Sequence, residues 1–278
     1  VTKRNVFGGG ETFGVRLRGS YEWQTGNRVD GAKSAISSWE MGLSGTLTFP
    51  QLLFPGMMKK DGLYPSSTSF RLYVDQLNRA RFFKMLAFGG SASYDYQSSA
   101  TSHHSITPFK LTYNLLQSTT HEFDSITKDN KALKLSLENQ FVPAMGYTYT
   151  YDDAPITTRR NHTWFQLAVS QAGNLLGAGY AIAGKKFNEE GKHLLGNKFA
   201  QFVKGTAEIR YDYKIGHNQH LVGRMMAGAV YSYGNARVAP YSEQFYIGGA
   251  NSLRAFTIRS IGPGRYHPEE NNTYSYLD

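Results

Sequence analysis

Phe202-Val203-Lys204-Gly205-Thr206-Ala207-Glu208-Ile209-Arg210-Tyr211-Asp212-Tyr213-Lys214-Ile215 is the stretch whose reading decides the fold. Taken with a period of two, Val203, Gly205, Ala207, Ile209, Tyr211, Tyr213 and Ile215 fall on one face. Lys204, Thr206, Glu208, Arg210, Asp212 and Lys214 fall on the other. Alternation sustained this long predicts an extended strand with different surroundings on its two sides. The second face mixes charges of both signs along its whole length. That suits a watery lumen rather than a packed core, because buried charges are costly unless paired. Alternating segments of roughly ten residues with aromatics near their ends are the signature of a transmembrane β-barrel.

Working outward, the pattern recurs. Strands are expected over about 12–24, 37–49, 68–77, 85–97, 108–117, 138–152, 163–171, 202–215 and 221–233. In the first, Phe13, Val15, Leu17, Tyr21 and Trp23 oppose Arg16 and Arg18; in the second, Trp39, Met41, Leu43, Leu47 and Phe49 oppose Glu40. In the last, Met225, Ala227, Ala229 and Tyr231 oppose Arg224. The lumen-facing charges are therefore Arg16, Arg18, Glu40, Lys204, Glu208, Arg210, Asp212, Lys214 and Arg224. Between strands, Asn5 to Glu11 reads as a tight turn, and Gly89-Gly90 as a bulge or bend. Pro50 and Pro55 bracket an apolar connection that cannot continue a ladder. The polar segment 118–131 leaves room for a short helix, and 172–200 reads as a long loop of the kind barrels carry on the extracellular side.

The fold class is thus all-β, an antiparallel transmembrane β-barrel. Nine strands do not close a barrel with the even strand number usual for this class. The chain ends on Tyr274-Ser275-Tyr276-Leu277-Asp278, as though a further strand were starting. It is expected to be an incomplete part, about nine to ten strands, of a larger barrel.

Composition agrees. The 278 residues include 19 Tyr, 17 Phe and 29 Gly, with no Cys, which leaves out disulfide scaffolds and thiol chemistry. The formal charge of +9 is consistent with nucleic acid, anionic lipid or an acidic partner, but its spread along the chain fits basic loops and a polar lumen better. The chain opens Val1-Thr2-Lys3-Arg4 without the apolar core of a signal peptide. No run of about 18 apolar residues marks a membrane helix, and a barrel would show neither feature in a mature or partial chain.

Candidate chemistry is sparse. His103-His104 lies in a Ser/Thr-rich stretch read as a turn; adjacent side chains in a strand would point to opposite faces, and no acidic or Cys partner has ligand spacing. Asp152-Asp153 precedes Ala154-Pro155 and reads as a turn cap, not a catalytic pair. No arrangement of Ser, His and Asp supports an enzyme.

One stretch near the end carries more information: Tyr246-Ile247-Gly248-Gly249-Ala250-Asn251-Ser252-Leu253-Arg254-Ala255-Phe256, followed by Arg259-Ser260-Ile261-Gly262-Pro263-Gly264. It resembles the sixth extracellular loop of the outer-membrane assembly and translocation superfamily that includes BamA, TamA and the two-partner-secretion transporters. That family's Val-Arg-Gly-Phe/Tyr motif is matched by Leu253-Arg254-Ala255-Phe256. Together with Asn5-Val6-Phe7-Gly8-Gly9-Gly10-Glu11, Phe49-Pro50-Gln51-Leu52-Leu53-Phe54-Pro55 and Ala172-Gly173-Asn174-Leu175-Leu176, it looks most like the TamA-like (TamL) branch of Bacteroidota.

The resemblance implies a barrel of about sixteen strands in the bacterial outer membrane. Residues 234–273 would be an extracellular loop folded into the lumen, and the N-terminal periplasmic POTRA domains would be absent from this chain. It carries Arg254 over as the structural lock of that loop, pairing with an acidic residue on a later strand. Phe256 packs beside it, and Leu253, Ala255, Gly248, Gly249, Gly262 and Gly264 shape the turn. It implies no bond chemistry and no cofactor. The expected partners are nascent outer-membrane client proteins, outer-membrane lipid including lipopolysaccharide, and a TamB-like periplasm-spanning protein or other assembly-complex subunits, with no nucleic acid. The alternatives are a two-partner-secretion type transporter, which the loop motif fits as well, and a passive porin, which shares the alternation but not the motif.

Overall fold

The computed structural model describes residues 1–24, 36–53, 63–79, 83–121, 124, 137–156, 160–187, 190–194, 196–216, 219–248 and 253. Nine long strands dominate: β2 (Thr12–Gln24), β3 (Ile36–Phe49), β4 (Ser66–Arg79), β5 (Phe83–Gln97), β6 (Ser102–Thr119), β7 (Gln140–Asp152), β8 (His162–Ala172), β11 (Phe202–Lys214) and β12 (His220–Ser232). Three short ones, β1 (Thr2–Arg4), β9 (His193–Leu194) and β10 (Asn197–Phe199), accompany them. The sheet runs β1-β2-β3-β4-β5-β6-β7-β8-β11-β12, each neighbour antiparallel to the last, with β10 lying parallel on β7 and β9 on β10. Among the described residues β1 and β12 are its two edges. This is an open antiparallel sheet of the kind a partial barrel gives. No helix among the described residues is long and apolar enough to cross a membrane.

Register carries the alternation across the sheet. Val203, Ile209 and Tyr211 pair with Tyr231, Met225 and Gly223 on one side, and with Gln171, Phe165 and Thr163 on the other. One face is therefore mostly apolar from strand to strand, with Gln171 and Thr163 among its exceptions. Its large side chains stand open: Leu17, Leu72 and Met225 are each about seven-tenths exposed, which water would not favour and lipid would. The other face is polar and concave. Glu243, beyond β12, stands 3.3 Å from Lys204 on β11 and 3.7 Å from Lys110 on β6. Those two strands are separated by two others, and side chains converge in this way only on the inside of a curled sheet.

Several expectations need correcting. β1 precedes the turn Asn5 to Glu11 and pairs with β2. In that turn Gly9 and Phe7 donate backbone N–H groups to the Glu11 carboxylate at 3.0 and 3.3 Å. Hydrogen bonds from its own backbone N–H foremost, and from those two, hold the carboxyl below the usual range. His103 and His104 do not sit in a turn but inside β6, which starts at Ser102. His103 faces inward with Nδ1 2.9 Å from Gln97 Nε2, and His104 faces outward, stacked on Tyr96 at 4.8 Å. The β5 register shifts fall at Lys84/Met85 and Ala92/Tyr94, not at Gly89-Gly90. Gly89 serves close approach instead: a Cβ there would strike the Leu111 carbonyl. Finally, 172–200 is not a bare loop, since it holds a helix, α1 (Asn174–Ile182), with β9 and β10.

Candidate functional site

The strand ends at Arg79, Thr119, Ala172 and Ser232 share one rim, and the chain leaving β12 crosses that rim into the concavity. Gly234 takes a left-handed backbone (φ 62°), which turns the chain. Asn235 then fastens it: its N–H donates to Gln201 Oε1 at 3.0 Å, and its Nδ2 donates to the carbonyls of Lys192 and Phe199, each at 2.9 Å. Its Oδ1 accepts from the Lys192 N–H at 2.8 Å. Asn235 is buried, so these bonds replace water that cannot reach it. Lys192 is itself buried, with Nζ donating to the Phe187 carbonyl at 2.5 Å. Arg237 pairs with Glu190 at 2.7 Å, a contact that raises the guanidinium pKa still further.

Beyond this clamp the segment Ala239 to Phe245 lies on the inner face. Tyr241 opens a single 3-10 turn, Tyr241–Glu243, and packs edge-on against Phe83 of β5 at 5.5 Å. Ser242 accepts from Asn114 Nδ2 at 3.4 Å, Glu243 sits between Lys110 and Lys204, and Lys204 Nζ also lies 5.0 Å from the Phe245 ring centre. The Phe245 ring occupies the space above Gly228, where any Cβ would collide with it. The inner wall of β12 is thus bare where the segment rests.

Charged side chains on this face stand in small networks. Glu208 accepts from Arg210 at 2.6 Å and from Arg224 at 2.7 and 3.1 Å, and Arg210 lies over Trp164 at 4.3 Å. Asp212 pairs with His220 at 2.8 Å. Arg18 reaches Glu40 at 2.9 Å and, across β3, Asp75 at 3.0 Å. The second bridge passes directly over Gly42, where a Cβ would overlap the Asp75 carboxylate. Arg16 stands exposed on the same face, and Lys214 offers its carbonyl to Arg160 at 3.1 Å. At the other rim an open pocket of about 470 Å³ has Asp95, Gln97, His103, Ser105, Thr148 and Thr150 among its lining residues. His103 Nδ1 is spent on Gln97 rather than on Asp95, so these residues do not form a nucleophile–base–acid relay. Asp152 and Asp153 cap the turn before β8, accepting from the N–H groups of Ala154 at 2.9 Å and Thr163 at 2.7 Å.

Of the motif residues, Gly248 has a left-handed backbone (φ 104°) and Leu253 is half exposed. Gly249, Arg254, Ala255, Phe256, Gly262 and Gly264 lie outside the described residues. Sequence reasoning missed Asn235, Lys192 and Glu243 entirely. The turn signal Gly234-Asn235 was visible, but an Asn in a turn says nothing about what it holds.

The Omp85 superfamily domain matches residues 5–274, nearly the whole chain. The chain belongs to the Omp85 superfamily. A curated relative, the outer membrane protein assembly factor BamA of Nitratidesulfovibrio vulgaris, is 38% identical over 79 residues. That match covers 28% of this chain and 10% of the relative. Membership accounts for the two-faced sheet and places this Omp85 chain in the bacterial outer membrane, in a family devoted to assembling and translocating outer-membrane proteins.

Proposed function

We propose that this Omp85 chain is the barrel part of a factor that helps client proteins insert into, or pass through, the outer membrane by lateral opening of the sheet. The observation that carries the reading is the return of the chain after β12 onto the inner face, with Glu243 between Lys110 and Lys204 and Phe245 on Gly228. A segment held this way closes the lumen and ties distant strands together. Opening at a seam then presents strand edges whose unpaired backbone groups a client strand satisfies, which lipid cannot do. The chemistry is non-covalent throughout and takes no cofactor.

Arg254 is the lock of the inward loop, its guanidinium needing an acidic partner to offset loss of water. Leu253, Ala255 and Phe256, flanked by Gly248, Gly249, Gly262 and Gly264, set its approach. The same motif, with the turns at 5–11 and 49–55, supports the TamA-like branch and a TamB-like or other assembly-complex partner. In cells whose only copy of the protein carries Arg254→Ala, outer-membrane levels of client barrels should fall while this protein's own strand content is kept. Unchanged client levels would refute the reading.

A further inference from the structure

Helix α1 differs from an ordinary surface helix. Asn174 to Ile182 contains no charged residue, and its first and last turns hold neither acid nor base. Leu175, Ala178, Gly179 and Ile182, spaced i, i+3, i+4, i+7, are all exposed; Leu175 is 68% and Ile182 91% exposed. This is a continuous apolar stripe facing away from the protein.

Its opposite side is seated on the outer face of the sheet. Gln201 and Tyr233 extend the β11–β12 ladder by one pair, through the 3.1 Å bond from Tyr233 N–H to the Gln201 carbonyl. They therefore share the face of Val203 and Tyr231, and Tyr233 stacks on Tyr231 at 5.9 Å. Tyr233 donates its hydroxyl to Asn174 Oδ1 at 2.7 Å, and Gly177 lies against Gln201. Tyr180 stacks at 6.2 Å on Phe199, whose partner Phe141 contacts Tyr113 on that same outer face. Gln201, Tyr233 and Phe199 thus anchor the helix on the lipid-facing side, at the rim where that side ends, while Tyr180 also donates its hydroxyl to the His193 carbonyl at 2.5 Å and Gly177 lies against Phe187. Lys185 and Lys186, both exposed, follow immediately.

We infer that α1 is an interfacial helix that beds its Leu175–Ile182 stripe in the acyl chains of the outer leaflet, while Lys185 and Lys186 meet the phosphates of anionic lipid. The inference rests on the outer-membrane barrel reading, and it adds a lipid-binding device built on the side of the barrel. The stripe continues the apolar band of the strands, so lipid covers both without a break. A peptide-length helix lies flat in this zone when one face is apolar and cations flank it. Lysines near an anionic surface add to the attraction.

The test uses site-specific labels on the full-length protein in vesicles, which is direct because this chain has no cysteine. A fluorophore on Ile182→Cys is challenged with lipids brominated in their acyl chains, and separately with a water-soluble quencher. Leu167→Cys, on the outer face of β8, is the reference. Quenching of Ile182 by bromolipid comparable to that of Leu167, with protection from the aqueous quencher, is the expected result. Ile182 open to the aqueous quencher while Leu167 is not overturns the helix proposal and leaves the barrel intact; if both are open, the barrel reading fails instead. Lys185→Glu with Lys186→Glu should abolish any difference in Ile182 quenching between phosphate-rich lipid A vesicles and zwitterionic ones. A difference that survives this change overturns the assignment of the two lysines.

Discussion

At the scale of single residues, the polar groups that matter are those with no water to return to. Asn235 satisfies both its donors and its acceptor inside the rim. Asn235→Ala removes three of those bonds and strands the partners. The expected cost is about 1–3 kcal/mol, roughly ten- to a hundredfold in local opening. Hydrogen exchange of the Lys192 amide reads this directly, because that N–H loses its acceptor; an unchanged rate would remove Asn235 from the clamp. The exposed Arg237–Glu190 pair is a contrast: both side chains are more than half exposed, so its loss should be scarcely measurable. Asn235 could not be singled out from sequence, since its four contacts come from positions between 192 and 201 that only the folded rim brings together.

At the scale of an element, β11 has two faces with two solvents. Ile209 looks outward and pairs with Phe165 and Met225, while Thr206 looks inward beside Lys204 and Glu208. Ile209→Arg therefore sets a charge against acyl chains and should destabilise the barrel by about 2–4 kcal/mol if it sits near the bilayer midplane. Thr206→Arg adds a charge to a face already wet and should cost far less. Denaturant unfolding of the two variants from bilayers separates them; equal costs would contradict the assignment of faces. The alternation was legible in the sequence because a strand's side chains must alternate whatever its neighbours are. What escaped notice was α1, whose nine residues follow Gly173 and read as loop, since helical spacing in so short an uncharged segment has little to distinguish it.

At the scale of the molecule, the inward segment joins parts of the sheet far apart along the chain. Glu243 touches strands that begin at Ser102 and Phe202, and Tyr241 touches a third that begins at Phe83. Glu243→Lys replaces two attractions with two repulsions in a confined space. The barrel should lose its compact, heat-resistant migration on gels at a lower temperature than the wild type. Adding Lys204→Glu should restore part of the difference. Failure of that rescue, with strand content unchanged, would show that the segment does not brace the sheet.

The sequence by itself determined the class of fold, the two faces of each long strand and the membrane these faces require. These follow from local rules: alternation is set residue by residue, and a face that is apolar in every strand needs an apolar solvent. It also carried the stretch around Arg254 through which the chain resembles that superfamily. Only the tertiary structure decided how the segment after β12 is fastened and which lysines receive Glu243. It alone set the ion pair across Gly42, and it put α1 on the lipid side of the rim. Each of these depends on strand register and sheet curvature, which sum over many residues and bring together positions that no local pattern connects.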